Sequence, residues 1–124
     1  MNDCVFCKII SGEFSSYKVY EDDNTLAFLS IEPESFGHTL VIPKNHYKDY
    51  EEIPVEVLNN INETGKKVYE KIKNNLKPNG IRLVQNNGSI QEVKHFHLHI
   101  IPVFNNKKDG EKDFEEVLKE IKGE

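Results

Sequence analysis

The chain has 124 residues, of which 37% are hydrophobic and 30% charged, with a formal net charge of -5. That length is typical of one domain, leaves room for a buried core and, with this negative balance, argues against nucleic acid or an anionic membrane as partner. No apolar run is long enough to span a bilayer, and Met1-Asn2-Asp3-Cys4 has neither the basic segment nor the apolar core of a secretory leader, so a cytoplasmic protein is expected.

Cys4 and Cys7 come first, spaced C-x-x-C. A structural disulfide is not expected in a reducing compartment. A thioredoxin-type pair would follow a strand, and only three residues precede Cys4. Two cysteines are half of a metal site. Residues 6–10 read as a short helix or turn closed by Ser11-Gly12. Lys18–Glu21 and Thr25–Leu29 flank the turn residues Asp22, Asp23 and Asn24, which is a hairpin pattern. Thr39–Pro43 is nearly all apolar, as a central strand would be, and Pro43 stops it.

After Pro54 the period changes. Leu58, Ile61, Gly65, Val68, Ile72 and Leu76 step by three and four, marking the apolar face of a long helix. Lys66, Lys67, Glu70, Lys71 and Lys73 fit its solvated side. Gly65 on the apolar face costs about 1 kcal/mol relative to Ala. It suggests close approach of another element, either the protein's own sheet or a second subunit. Pro78-Asn79-Gly80 ends the helix, residues 81–85 form a fourth strand, and Asn86-Asn87-Gly88 turns the chain. A fifth strand is expected over 93–102, and Phe114, Val117, Leu118 and Ile121 mark a short terminal helix. The expected fold class is α+β: a five-stranded, mostly antiparallel sheet, with one long and one or two short helices on one face.

The fifth strand carries the chemistry. His95, His97 and His99 alternate with Phe96, Leu98 and Ile100. A period of two puts the imidazoles on one face and the apolar side chains on the other. A lone histidine on a strand is usually a satisfied core residue. Three in register, each ring nitrogen needing a partner, argue for a site. Two chemistries fit. The imidazoles could hold zinc with an open position for water. Alternatively, a neutral imidazole could attack phosphorus, with water resolving the nucleotidyl-histidine. The second needs a neighbour that fixes the attacking ring's tautomer and groups that hold the phosphate oxygens.

The run His95-x-His97-x-His99-Ile100-Ile101-Pro102 resembles the signature of the histidine triad (HIT) family. Cys4-Val5-Phe6-Cys7-Lys8-Ile9-Ile10, Lys18-Val19-Tyr20-Glu21-Asp22 and Gly37-His38-Thr39-Leu40-Val41-Ile42-Pro43-Lys44-Asn45-His46 resemble its small bacterial and archaeal branch. The resemblance runs in order from about Cys4 to Pro102, within one HIT-like domain over 1–124; the tail 103–124 carries no family pattern. It implies hydrolysis at the α-phosphate of purine nucleotide conjugates such as adenosine phosphoramidates. By the motif His97 is the nucleophile, its ring oriented by the backbone carbonyl of His95. His99 contacts the phosphate, and His38 supports the nucleophile's strand from behind. No catalytic metal or organic cofactor is implied. Cys4, Cys7, His46 and His95 resemble a structural zinc site, and a homodimer is implied.

For the substrate, the resemblance places Ile10 and Phe28 near the base, Asn86 near the sugar or phosphate, and Gln91 with Val93 at the phosphate loop. Phe28 and Val93 also read as core residues, and Asn86 as a turn former. Three departures fall on recognition. Ser30 stands where the family carries a ribose-binding aspartate, and a hydroxyl cannot clamp a diol as a carboxylate can. The loop before the triad is shorter. Glu92 replaces a serine and would repel a phosphate it faced. Two other readings stay open: a nucleotide-sensing module with little turnover, and a metal-dependent hydrolase using the triad as ligands.

Overall fold

The computed structural model describes residues 4–106 and 113–124. Met1, Asn2 and Asp3, read above for a leader, and residues 107–112 of the tail lie outside that range. Five strands, β1 (Lys18–Glu21), β2 (Thr25–Leu29), β3 (Thr39–Pro43), β4 (Gly80–Gln85) and β5 (Leu98–Val103), form one sheet in the order β1-β2-β3-β5-β4. Every neighbouring pair is antiparallel. The helices are α1 (Val5–Ile10), α2 (Val55–Leu76) and α3 (Phe114–Lys122). The α+β expectation holds, with β3 in the middle of the sheet.

Alternation on the central strands divides the interior into two cores. Ala27, Leu29, Val41, Phe96 and Ile100 face α2 and α3, meeting Ile61, Val68, Ile72 and Ile121. Leu26, Phe28, Leu40 and Ile42 face the other way and are covered by Phe6 and Ile9 of α1. The expectation of helices on one face therefore needs correcting: two lie on one side, and the short first helix lies on the other. Each fully buried aliphatic on α2 is worth roughly 1.5–3 kcal/mol. α2 ends where Lys77 turns left-handed at φ 53° and Pro78 cannot continue it.

Two glycines fix the framework of the site. A Cβ on Gly65 would lie 3.4 Å from Leu98 Cδ2, so this glycine brings α2 onto β5 of its own sheet. Gly37, at φ +90°, turns the chain into β3; a Cβ there would lie 2.5 Å from Leu76 Cδ1. The next residue is His38.

The fifth strand starts later than expected. His95, Phe96 and His97 precede β5, which begins at Leu98. The β3–β5 ladder runs only from Thr39↔Ile100 to Val41↔Leu98. Continuing it would bring Phe96 opposite Pro43, which has no N–H to donate. Phe96 N instead donates to Tyr47 O at 2.7 Å, in the segment after β3. The alternation of faces nevertheless persists through 95–97.

Candidate active site and metal centre

The histidines divide into two groups that meet at His95 and His97. On the cavity side, His97 and His99 lie side by side, ring centroids 4.8 Å apart. His97 Nδ1 is 2.8 Å from His95 O. A carbonyl only accepts, so Nδ1 carries the hydrogen and Nε2 of the neutral ring keeps its lone pair. Burial lowers the pKa of His97, with the Glu92 carboxylate partly opposing it. The ring is thus neutral at neutral pH.

His38 fixes the second tautomer. The backbone N–H of Glu34 donates to His38 Nδ1 at 3.0 Å. Burial, with His99 and His97 nearby, lowers the His38 pKa to about 4. The neutral ring must therefore carry its hydrogen on Nε2, which donates to His99 Nδ1 at 3.0 Å. His99, whose own pKa is lowered by burial, is left with Nε2–H as a donor. Two backbone groups thereby set an unprotonated nitrogen on His97 beside an N–H on His99. The expected support of the nucleophile's strand from behind takes a different form: His38 bonds the ring of His99 and borders the cavity itself.

The cavity has a volume of about 1010 Å³. Of the residues singled out in the sequence, Phe28, Ser30, Asn86, Val93, His38, His97 and His99 line it. Ile10 and Gln91 do not. Successive helical residues point about 100° apart, and α1 turns Val5, Phe6 and Ile9 to the cavity instead. Gln91 is buried as a staple: its amide donates to Lys48 O and Val93 O, and its Oε1 accepts from Gly88 N. A 3₁₀ turn, Gly88–Ile90, forms part of the same loop, where only a turn was read. Ser30 Oγ accepts from Glu32 N at 3.3 Å. Sequence reasoning missed Arg82 and Ser16. Arg82 reaches the wall through strand alternation on β4. Ser16 has a buried hydroxyl with no partner among the described residues, and nothing in its local sequence marks it.

On the other side of Phe6, the side chains of Cys4, Cys7, His46 and His95 bring one nitrogen or sulfur each within 4.8 Å of one another. Cys4 caps α1, its Sγ accepting from Cys7 N at 3.3 Å. His95 Nε2 is 2.9 Å from Pro43 O, so that nitrogen is the donor and Nδ1 presents a lone pair. Nδ1 lies 3.4 Å from Cys4 Sγ and 3.7 Å from Cys7 Sγ, while His46 Nδ1 lies 3.3 Å from Cys7 Sγ. Zinc bonds of about 2.3 Å to sulfur and 2.0–2.1 Å to nitrogen, at the tetrahedral angle, put the two donors about 3.6 Å apart. The residues present fit such an ion. Burial, with Cys4 beside it, pushes the Cys7 thiol up to about 11. A divalent cation would reverse that preference and hold thiolates.

The HIT domain family matches residues 11–106. An uncharacterized HIT-like protein of Methanocaldococcus jannaschii is 47% identical over 131 residues, covering 97% of this chain and 99% of that protein. An adenosine 5'-monophosphoramidase of Candida albicans is 41% identical over 105 residues, covering 80% of this chain and 69% of its own length. The crystal structure of a zinc-bound histidine triad family protein from Mycobacterium smegmatis superposes with TM-score 0.91 at 34% identity, covering 98% of this chain and 92% of that one. By family match and by fold, with the paired histidines at the cavity, this chain belongs to the HIT family.

Proposed function

We propose that this protein hydrolyses purine nucleotide conjugates, foremost adenosine phosphoramidates, at the α-phosphate through a nucleotidyl-His97 intermediate. The carrying observation is the pair of fixed tautomers: His97 Nε2 with a free lone pair and His99 Nε2 with a hydrogen. The His97 lone pair attacks phosphorus, the bond to the leaving nitrogen breaks, and the departing amine takes a proton from solvent. His95 O stays bonded to Nδ1–H as the ring becomes cationic. His99 Nε2–H donates to a non-bridging oxygen. Water then attacks phosphorus and releases the nucleoside monophosphate. The relative in Candida albicans named for adenosine 5'-monophosphoramidase activity supports this substrate class.

The cavity wall favours an amine over an anionic leaving group. Glu13, Glu32, Glu34 and Glu92 line it, with Arg82 the one Lys or Arg among the described lining residues. Such a wall suits a cationic amine and opposes pyrophosphate. Phe6, Ile9 and Phe28 supply apolar surface for the base, and Ser30 with Glu32 stands where the ribose is expected. Cys4, Cys7, His46 and His95 would hold a structural zinc ion, joining α1 to the segment that carries the nucleophile. A homodimer is proposed through the β4 edge of the sheet, where Leu83 is 58% exposed.

The test is mass spectrometry of protein quenched during turnover of adenosine 5'-phosphoramidate. A nucleotidyl adduct on His97 supports the reading. Turnover that survives His97→Ala ends it. Nucleotide binding without turnover across a phosphoramidate panel would favour a sensing module.

A further inference from the structure

His95 belongs to both groups of side chains. Its ring nitrogens are both engaged, Nδ1 against the two cysteines and Nε2 on Pro43 O. Its carbonyl holds Nδ1–H of His97 at 2.8 Å. Pinning the ring at both nitrogens fixes the residue's backbone, and with it the direction of that carbonyl. Phe6 makes a second connection. It sits on α1 between the two cysteines, and its ring meets His95 edge-on at 5.8 Å and His97 edge-on at 5.1 Å. It also packs on Phe28 in the cavity wall, at 5.5 Å. α1 has six residues, well short of the dozen or so at which an isolated helix holds itself. Its place depends on Phe6, Ile9 and the two cysteines.

We propose that metal loading of the Cys4–Cys7–His46–His95 cluster sets the orientation and tautomer of His97, with His95 and Phe6 as the positioning residues that transmit the constraint. The cluster then governs both halves of catalysis. Through His95 and the Phe6 ring it holds the nucleophile, which acts on kcat. Through α1 it holds Val5, Phe6 and Ile9 against the cavity, which acts on KM. The kinetic arm rests on the proposed function; the spectroscopic arm does not.

The experiment compares full-length protein labelled with 15N in its histidine rings, purified with zinc, stripped with a chelator, and reloaded with zinc. Spectra are taken at about pH 8, above the ordinary imidazole range. The loaded protein is expected to give one Nδ1–H signature for His97, the stripped protein an average of both tautomers, and reloading to restore the first. Phe6→Leu, which keeps all four ligands, is expected to retain its zinc and still show partial averaging. Its kcat should fall about tenfold, within the range seen when the partners that orient a site residue are lost. Identical His97 signatures in loaded, stripped and Phe6→Leu protein would overturn the proposal. If stripping unfolds the chain, the zinc-retaining Phe6→Leu protein decides alone. If no form hydrolyses a phosphoramidate, the proposed function falls, while the His97 spectra still judge this inference.

Discussion

The two histidine groups use the same side chain for opposite ends. In the cysteine cluster, His95 donates its Nε2–H to a backbone carbonyl and turns its Nδ1 lone pair inward, toward the two sulfurs. In the cavity, His97 donates its Nδ1–H to a backbone carbonyl, and its remaining lone pair belongs to a residue that borders about 1010 Å³ of open space. In both cases a carbonyl selects the tautomer. The difference lies in what the other nitrogen faces: three further donors that close around a point, or space for a phosphate. A closed donor set suits structure and an open one suits chemistry. Residue type cannot distinguish them, because His95 and His97 are two positions apart on one segment.

Cutting each group in turn separates these roles. The largest effect is expected from His97→Ala, which should lower kcat/KM for a phosphoramidate by on the order of 10⁴-fold or more, as loss of a nucleophile does elsewhere. Its melting temperature should change little, and equilibrium nucleotide binding should persist. A melting curve as depressed as that of a cysteine variant would erase the contrast. Cys7→Ser should do the reverse in character: metal content falls, and the melting temperature drops by roughly 5–10 °C, as a loss of about 1–2 kcal/mol would produce in a domain of this size. The far-ultraviolet signal of the sheet and α2 should remain.

His38→Ala removes the donor to His99 Nδ1 and frees that ring to take either tautomer. A drop of about 10–100-fold in kcat is expected, in line with the loss of a supporting partner. KM should move less, and His38→Gln, whose amide can donate, should recover part of the rate. Equal losses for the two variants would leave the tautomer argument without support.

Acid should weaken the fold through His38. Its folded value of about 4 lies below its ordinary value of 6.5. Between these two values the unfolded chain binds the extra proton and the folded chain does not, so stability falls as pH falls. The contribution of this one group reaches about 3 kcal/mol at and below pH 4 and vanishes above 6.5. Denaturant titrations across that window in wild type and His38→Gln measure it; the variant should have the shallower slope. The acidic limb of kcat/KM should likewise lie below pH 6.5, because burial lowers the pKa of His97.

The smallest effect concerns selectivity. Glu92→Gln removes one carboxylate from the cavity wall and from the surroundings of His97. The ratio of kcat/KM for a cationic over a neutral amine leaving group should fall by about 3–10-fold, as an exposed charge worth about 1 kcal/mol would give. The ratio should also lose part of its salt dependence, since Glu13, Glu32 and Glu34 remain in the wall. An unchanged ratio would mean that Glu92 takes no part in choosing the leaving group.

Most of the framework could be read from local pattern. Apolar runs between turn residues placed β1, β2 and β3, alternation placed β4 and put the start of β5 five residues too early, and steps of three and four after Pro54 placed α2 within a residue or so of Val55–Leu76. The histidine spacing marked the candidate site, since alternation survives even where 95–97 leave the ladder. Local pattern failed where partners distant in the chain decide. Ile9 rather than Ile10 faces the cavity because α1 is oriented by Cys4 and Cys7 meeting residues some forty and ninety positions away. Gln91 turns inward because Lys48 O lies there to receive it. Gly65 could have served a second subunit, and Leu98 on the protein's own β5 answered that.

The imidazoles draw the same boundary. Alternation along one segment follows from backbone geometry alone, so three rings on one face were legible from the order of residues. Which nitrogen of each ring carries hydrogen depends on a carbonyl, a backbone N–H or a sulfur brought in from elsewhere in the chain. The packed molecule supplies the Pro43 carbonyl to His95 and, through His38, the Glu34 N–H that sets His99, whereas the partner of His97 is the His95 carbonyl two residues away.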